Sequence, residues 1–591
     1  MKRQIGIGLL AFVVTLMVIG GAVFFVWQVV MPQIRNLPFM PNQNIVPFHE
    51  HLGLDPNVPV LVFDGERVRD GVPPMVERRG GEYTVFLHLE FLREHLDPFL
   101  FWDEAAGVLF ASTRYEMLEF TPGSARYLIN GQSVQIPTPV TMVGSDIFIP
   151  ADVVSALYPL VIEYRPTYNI VVVTRASVPQ TFATVAVTSV DVRHWGNDRA
   201  PIATQIYLGD EVAVFPSDDT PPGFVLIRTG DGLLGYVFVN EIEGRVTDTI
   251  SMSASPILSE RIENTVHHPP AWPEGKSINM VWESVYSRDA NWIHMESPLP
   301  PELNVVSPQW FRLDPEGTHI NSVATREYVD WAHAQGVQVW PLVFDVDNAR
   351  VSRFLPDRDA RAHVVNQLVH YVDLLNLDGI NIDFEHLSAP QGLYKIQFLR
   401  ELAIPLRERG VVLSAAVKVP IPATMFYRRD LIGLTVDFVM VMTFDEHWST
   451  SPVAGPVASM NWVNNGITNM LREVPADRLV MGLPFYNRIW REVVLDDDYL
   501  SQRSVGMRAA RNFFEERDVE WEWDAEVGSY FGEVAVFEDS QTVIYRVWLE
   551  DVRSINTKMQ IFVAHDLAGV AGWRRGLEEP EVWTTIAHFL R

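Results

Sequence analysis

The sequence predicts a multidomain chain ending in a (β/α)8 TIM barrel, preceded by a small β-barrel, a duplicated α+β module and an N-terminal transmembrane helix. Three observations carry this prediction. From about residue 275 to the end, eight apolar runs (277–282, 303–307, 337–344, 378–385, 411–419, 436–445, 478–484 and 568–573) alternate with helical patterns such as Arg361–Leu375 and Leu393–Ile404. Strands that alternate with helices point to a parallel sheet with helical crossovers, and eight such units close into a barrel. Residues 181–245 are instead dense in short β runs, with a tight turn at Asp231-Gly232. Finally, Ile5–Val30 is an uncharged apolar run behind Lys2 and Arg3.

Each element can be justified in turn. Ile5–Val30 exceeds the roughly 20 residues that cross a bilayer core. The run ends in Phe24-Phe25-Val26-Trp27 without a small-residue cleavage site, so an uncleaved signal anchor is expected within residues 1–31. Basic residues before the span place the N-terminus inside and the remainder outside the cytoplasm. Residues 32–57, rich in Pro and Asn, read as a linker. Residues 58–176 carry a weak internal duplication. The first copy runs from Val62-Phe63-Asp64-Gly65 to Val108–Ser112, and the second from Tyr127–Gly131 to Ile170–Thr174. A second linker, 246–274, includes His267-His268-Pro269-Pro270. Within the barrel region 275–591, an insertion is expected at about 492–552. Its Asp496-Asp497-Asp498 run either chelates a cation or is a solvated loop.

Composition excludes several functions. Hydrophobic residues at 48% and charged residues at 20% describe a globular chain, not a disordered one. A formal net charge of −28 argues against nucleic acid, whose phosphates demand clustered Lys and Arg. The absence of cysteine removes disulfides, thiolate metal sites and cysteine nucleophiles. Neither a cofactor nor a bound metal is expected.

The run Leu377–Leu387 concentrates the chemistry. A strand sends successive side chains to opposite faces, so Asn381, Asp383 and Glu385 share one face and Ile380, Ile382 and Phe384 the other. Barrel chemistry sits at the C-terminal ends of strands, and Glu385 lies where the fourth run ends. A carboxyl pair there suits glycoside hydrolysis: Glu385 as proton donor, with Asp383 as the close negative neighbour that tunes it.

Asp378-Gly379-Ile380-Asn381-Ile382-Asp383-Phe384-Glu385 resembles the D-G-x-D-x-D-x-E signature of family 18 glycoside hydrolases. Met442-Thr443-Phe444-Asp445 resembles that family's M-x-Y-D motif, Gly482–Tyr486 its G-x-P-x-Y motif, and Gly569–Trp573 its final strand. Asn304–Phe311 and Phe444–Trp448 are similar to the spore-germination branch, whose members include peptidoglycan cortex N-acetylglucosaminidases. Residues 58–176 resemble the N-terminal domain of copper amine oxidases, without a His cluster to suggest copper, and 181–245 a bacterial SH3-type barrel that either holds wall polymer or only spaces the domains.

The resemblance implies a chitinase-like, substrate-assisted retaining mechanism on β-linked N-acetylglucosamine polymers, with peptidoglycan favoured over chitin. In it Glu385 is the acid, Asp383 holds the acetamido N–H, Asp445 faces the acetamido group or sugar hydroxyls, and Trp573 stacks beneath the ring. Met442 and Asp378, as motif members, join the substrate-binding set. Two departures stand out. Asn381 replaces the first Asp of the catalytic strand, and is expected to hydrogen-bond Asp383 without sharing its proton. Phe444 replaces a Tyr whose hydroxyl Tyr486 is the candidate to supply. His386 and His447 read as rim residues. Trp282, Trp310, Trp340 and Trp448, near strand ends, are either sugar platforms or core. The alternative reading is a catalytically inactive cell-wall carbohydrate-binding protein on the same barrel, and a weaker third is an interaction scaffold in spore assembly.

Overall fold

The computed structural model describes residues 41–217, 219–249, 272–273, 275–385, 387–494 and 500–590. The expected span Ile5–Val30, the His267-His268 pair, His386 and the Asp496–Asp498 run lie outside the described residues. Among those residues no helix is long and apolar enough to cross a membrane. They divide into two compact units: residues up to Asp97 with Pro122–Arg126 and 135–249, and Pro98–Thr121 with Tyr127–Val134 and 272–590.

In the first unit the duplication shows in the pairing. Glu82–His88 and Asp146–Pro150 are each followed by a short helix, and they pair antiparallel with Phe148 opposite His88. Val60–Phe63 pairs in parallel with Ile170–Arg175, so the ends of the module close on each other. Residues 180–248 form a seven-stranded antiparallel sheet whose inward valines and isoleucines, among them Val192, Val212, Ile227 and Val237, are buried together.

The second unit holds a ring of eight parallel strands. In order they are Ile278–Glu283, Val305–Pro308 continued by Phe311–Leu313, Gln338–Val339 continued by Leu342–Asp345, Gly379–Phe384, Val412–Lys418, Phe438–Met442, Leu479–Pro484 and Gly569–Trp573. Each pairs in parallel with the next, and the eighth pairs with the first, which closes the barrel. Strand two breaks at Gln309-Trp310 and strand three at Trp340-Pro341, where proline has no N–H for the ladder. The outward residues of strand four, Ile380, Ile382 and Phe384, are fully buried, and Phe384 packs on Phe354 and Phe398 of the surrounding helices. Gly379 is required here: a Cβ would stand 2.6 Å from the Trp340 indole.

One boundary differs from expectation. The insertion starts at Tyr486, not near residue 492, because strand seven passes directly into an antiparallel sheet. This sheet comprises Tyr486–Val493, Leu500–Gly506, Glu522–Asp524, Ser529–Glu538 and Gln541–Leu549. Within the region 58–176, residues 98–121 and 127–134 group with the barrel. Its strands Phe101–Asp103, Val108–Ser112 and Met117–Phe120 pack on the barrel helices Arg358–Leu375 and Gln391–Glu408. There the fully buried Arg361 donates to Asp103 (2.9 Å), Glu401 (3.1 Å) and the Leu355 carbonyl (2.7 Å), and Phe101 meets Tyr394 edge to face at 5.1 Å.

Candidate active site

Three predicted residues of strand four face the barrel interior, and the structure treats each differently. Asn381 is fully buried and both ends of its amide are engaged. Its Nδ2 donates to Ser414 Oγ on strand five (2.8 Å), and its Oδ1 accepts from Trp282 Nε1 on strand one (3.0 Å). The expected hydrogen bond from Asn381 to Asp383 is not among them. Strand register places Ser414 directly beside the amide.

Asp383 is buried, and its Oδ1 has no hydrogen-bond partner among the described residues. Burial pushes this carboxyl well above the usual carboxylate range, and the Glu385 charge adds to the rise. Lys395 and Lys418 only partly oppose it.

Glu385 follows the last strand residue and is 31% exposed, with Oε2 3.6 Å from Lys418 Nζ at the end of strand five. The Tyr427 hydroxyl donates to the Glu385 backbone carbonyl and fixes the turn after the strand. Lys395, from the helix after strand four, is fully enclosed: its Nζ lies 3.3 Å from the Phe384 carbonyl and 5.7 Å from the Tyr427 ring centre. Desolvation lowers its ammonium to about 8 despite the neighbouring Asp383. The acids and amines of this strand end therefore form one electrostatic group.

Strands six and seven build the second wall. Met442, half-buried, ends strand six opposite Lys418. Phe444 is buried edge-on to Tyr486, with ring centres 6.2 Å apart, and Gly482 leaves it room, since a Cβ there would lie 2.9 Å from its ring. Asp445 takes a left-handed backbone (φ 56°), which Asp tolerates better than most residues. Its Oδ1 accepts from the Tyr486 hydroxyl and the Arg488 guanidinium, yet its side chain remains 47% exposed. The Tyr486 hydroxyl is thus spent on Asp445 and does not replace the one missing at Phe444; burial and the Asp445 charge push it well above its ordinary value. Arg488 is itself pinned by the His447 carbonyl (3.0 Å) and Ser504 Oγ (3.0 Å).

Trp573 ends strand eight, 5.8 Å from the Trp282 ring, and the peptide bond to Arg574 is cis. Trp310 and Trp340 are core, with their indole N–H groups donated to Asn291 and Gln338. Trp448 is 50% exposed. His447 Nδ1 faces the Pro456 carbonyl at 3.0 Å. Among the described residues no group of three or more His, Asp or Glu is arranged to hold a metal ion.

Asp378 must be removed from the substrate-binding set. It precedes the first residue of strand four, at the N-terminal end of the barrel, where it accepts from Val339 N–H (2.8 Å) and lies 2.7 Å from His333 Nε2. At about 3.3 Å per residue, the strand separates it from Glu385 by roughly 20 Å.

Lys395, Lys418, Tyr427, Ser414 and Arg488 escaped sequence reasoning. Only Lys418 left a trace, as a charge closing an otherwise apolar strand-five run. A buried carboxyl with an open acceptor beside a half-exposed, cation-paired carboxyl can hold one group of a ligand while exchanging a proton with another.

Residues 345–578 match the family described as Glycosyl hydrolases family 18, and residues 62–173 match the Copper amine oxidase N-terminal domain. The chain is 23% identical over 301 residues to the uncharacterized glycosylase YvbX of Bacillus subtilis, covering 48% of this chain and 84% of that protein. It is 26% identical over 241 residues to the cortical fragment-lytic enzyme of the same organism, covering 39% of this chain and 54% of that one. The solved spore cortex-lytic enzyme SleL of Bacillus cereus is similar at 18% identity with a TM-score of 0.47, over 53% of this chain and 74% of that one.

Proposed function

We propose that this chain, a glycoside hydrolase with its family 18 region at 345–578, cleaves β-1,4-linked N-acetylglucosamine polymers, peptidoglycan in preference to chitin, with retention of configuration. The observation that carries the reading is the unpartnered, buried Asp383 Oδ1 two residues from the half-exposed Glu385. A substrate acetamido N–H fills that vacant acceptor. Doing so favours the Asp383 anion and moves the proton of the pair to Glu385.

Glu385 then gives its proton to the glycosidic oxygen as the C1–O bond breaks, and the electron pair leaves with that oxygen. The acetamido carbonyl oxygen bonds C1 from the opposite face to form an oxazolinium ion, the known exception to an enzyme nucleophile. Water attacks C1 next, loses its proton to Glu385 and reopens the ring with retained configuration. Asp445, with lone pairs beyond those used by Tyr486 and Arg488, accepts a sugar hydroxyl or acetamido group, and Trp573 offers an apolar face to the pyranose. Resemblance to an enzyme named for lysing cortical fragments supports peptidoglycan. The uncharged run Ile5–Val30 supports anchoring in the cell membrane with the hydrolase outside, and residues 180–248 act as spacer or wall-polymer module.

The test compares the full chain with Glu385→Gln on purified peptidoglycan and on N-acetylglucosamine oligomers. The parent should release fragments with N-acetylglucosamine at the new reducing end, and the variant should be slower by about 10²–10⁴. Binding by both with release by neither would favour a second reading, a carbohydrate-binding protein on a retired site. Asn381, tied to Trp282 and Ser414 instead of Asp383, is the observation on its side.

A further inference from the structure

Among the described residues, Glu283, Asp445 and Glu385 at the C-terminal end of the barrel each carry a cationic partner, and the cations of the first two are fixed. Arg575 donates to buried Glu283 at 2.6 Å and to the Ser297 carbonyl at 3.1 Å. Arg488 is held by Asp445, the His447 carbonyl and Ser504. The third, Lys418, differs: its Nζ lies 3.6 Å from Glu385 Oε2, beyond good hydrogen-bond length, and its side chain is 37% exposed. Its backbone is nonetheless well placed. Asn381 pairs with Ser414 across strands four and five, so continuing that register brings Lys418 level with Glu385. Ser414, Ala416 and Lys418 share the inward face, and the Lys418 carbonyl accepts from Arg429 Nε at 2.9 Å.

This arrangement conflicts with the chemistry required of Glu385. As the acid, Glu385 must hold a proton, and protonation removes the charge nearest the exposed Lys418 ammonium, leaving it the more distant, buried Asp383. A half-exposed ion pair of this kind is weak, so Lys418 can change partners at little cost. A neutral polymer offers no replacement. A glycan with a carboxylate on the sugar that carries the departing oxygen does: it takes Lys418 and frees Glu385 to stay protonated. With a formal net charge of −28, the protein as a whole repels such a polyanion, so the attraction must be local.

We propose that Lys418 is a specificity-determining residue that selects glycans whose leaving-side sugar bears a carboxylate, such as the 3-O-lactyl group of N-acetylmuramic acid. The inference rests on the glycosidase reading above.

The experiment uses the full chain, Lys418→Met and Lys418→Arg with three oligosaccharides of equal length. One alternates N-acetylglucosamine with N-acetylmuramic acid, one is its methyl ester, and one is a chito-oligosaccharide. The parent should favour the free acid over its ester about tenfold in kcat/KM, the size of one charge-assisted contact. Lys418→Met should bring that ratio to about 1, and Lys418→Arg should keep most of it. A parent ratio near 1, or a ratio that survives Lys418→Met, overturns the proposal. Failure of the glycosidase reading is visible separately, as no cleavage of any substrate. In that event binding of acid and ester, measured for parent and Lys418→Met, still decides: charge selectivity lost in the variant supports the role of Lys418, and equal binding of acid and ester by the parent overturns it.

Discussion

Arg361 and Asp383 are both buried charged-type side chains of the same barrel, yet their surroundings differ in kind. Arg361 donates to Asp103, Glu401 and the Leu355 carbonyl, and these acids hold its guanidinium in the charged form. Asp383 has an open acceptor, a carboxyl pushed upward by burial, and an enclosed Lys395 nearby whose ammonium is pushed down. Burying an unpaired polar group costs free energy that the fold must offset elsewhere. The helix face beneath Phe101–Ser112 therefore reads as structure, and the end of strand four as a site held ready for a partner. The same contrast runs within strand four, where Asp378 is fully engaged at one end and Glu385 only loosely at the other.

The largest effect on stability should come from breaking the satisfied region. Arg361→Met leaves Asp103 and Glu401 buried without their cation, and should cost about 3–5 kcal/mol in denaturant unfolding. A loss below about 1 kcal/mol would erase the distinction drawn between the two regions.

Lys395→Met should act in the other direction. Its folded ammonium titrates near 8, below the unfolded value, so charged Lys395 opposes folding at neutral pH and this opposition fades between about 8 and 10.5. Lys395→Met should therefore raise Tm at pH 7, equivalent to roughly 3 kcal/mol, with the advantage shrinking as pH rises through 8. Activity should pay for the gain: without that cation Asp383 holds its proton to higher pH, and the acid limb of kcat/KM should move upward. An unchanged profile with a raised Tm would make Lys395 a packing residue only.

The smallest effect should follow Asp378→Asn, a loss of about 1 kcal/mol from a weakened tie to Val339 and His333 with kcat unaltered. A fall in kcat as large as that of Glu385→Gln would return Asp378 to the active site.

Much of this was legible in the sequence because it depends on local geometry. The alternation of a strand is enough to put Asn381, Asp383 and Glu385 on one face, and eight apolar runs spaced by helical patterns predict eight barrel strands. The packing of residues 98–121 on the barrel helices was not legible, because Arg361 and Asp103 stand 258 positions apart. Nor was the partner of Asn381: Trp282 lies 99 residues away, and only closure of strand eight on strand one carries it across the barrel. Arg488 reaches Asp445 from an inserted sheet 43 residues on, and Lys418 meets Glu385 only through the register of strands four and five. Side-chain direction is set by bonds between neighbours in the chain, so sequence alone determined which residues share a face. Which of them is satisfied, and which is left waiting, depends on strand register and closure, and that only the tertiary structure decided.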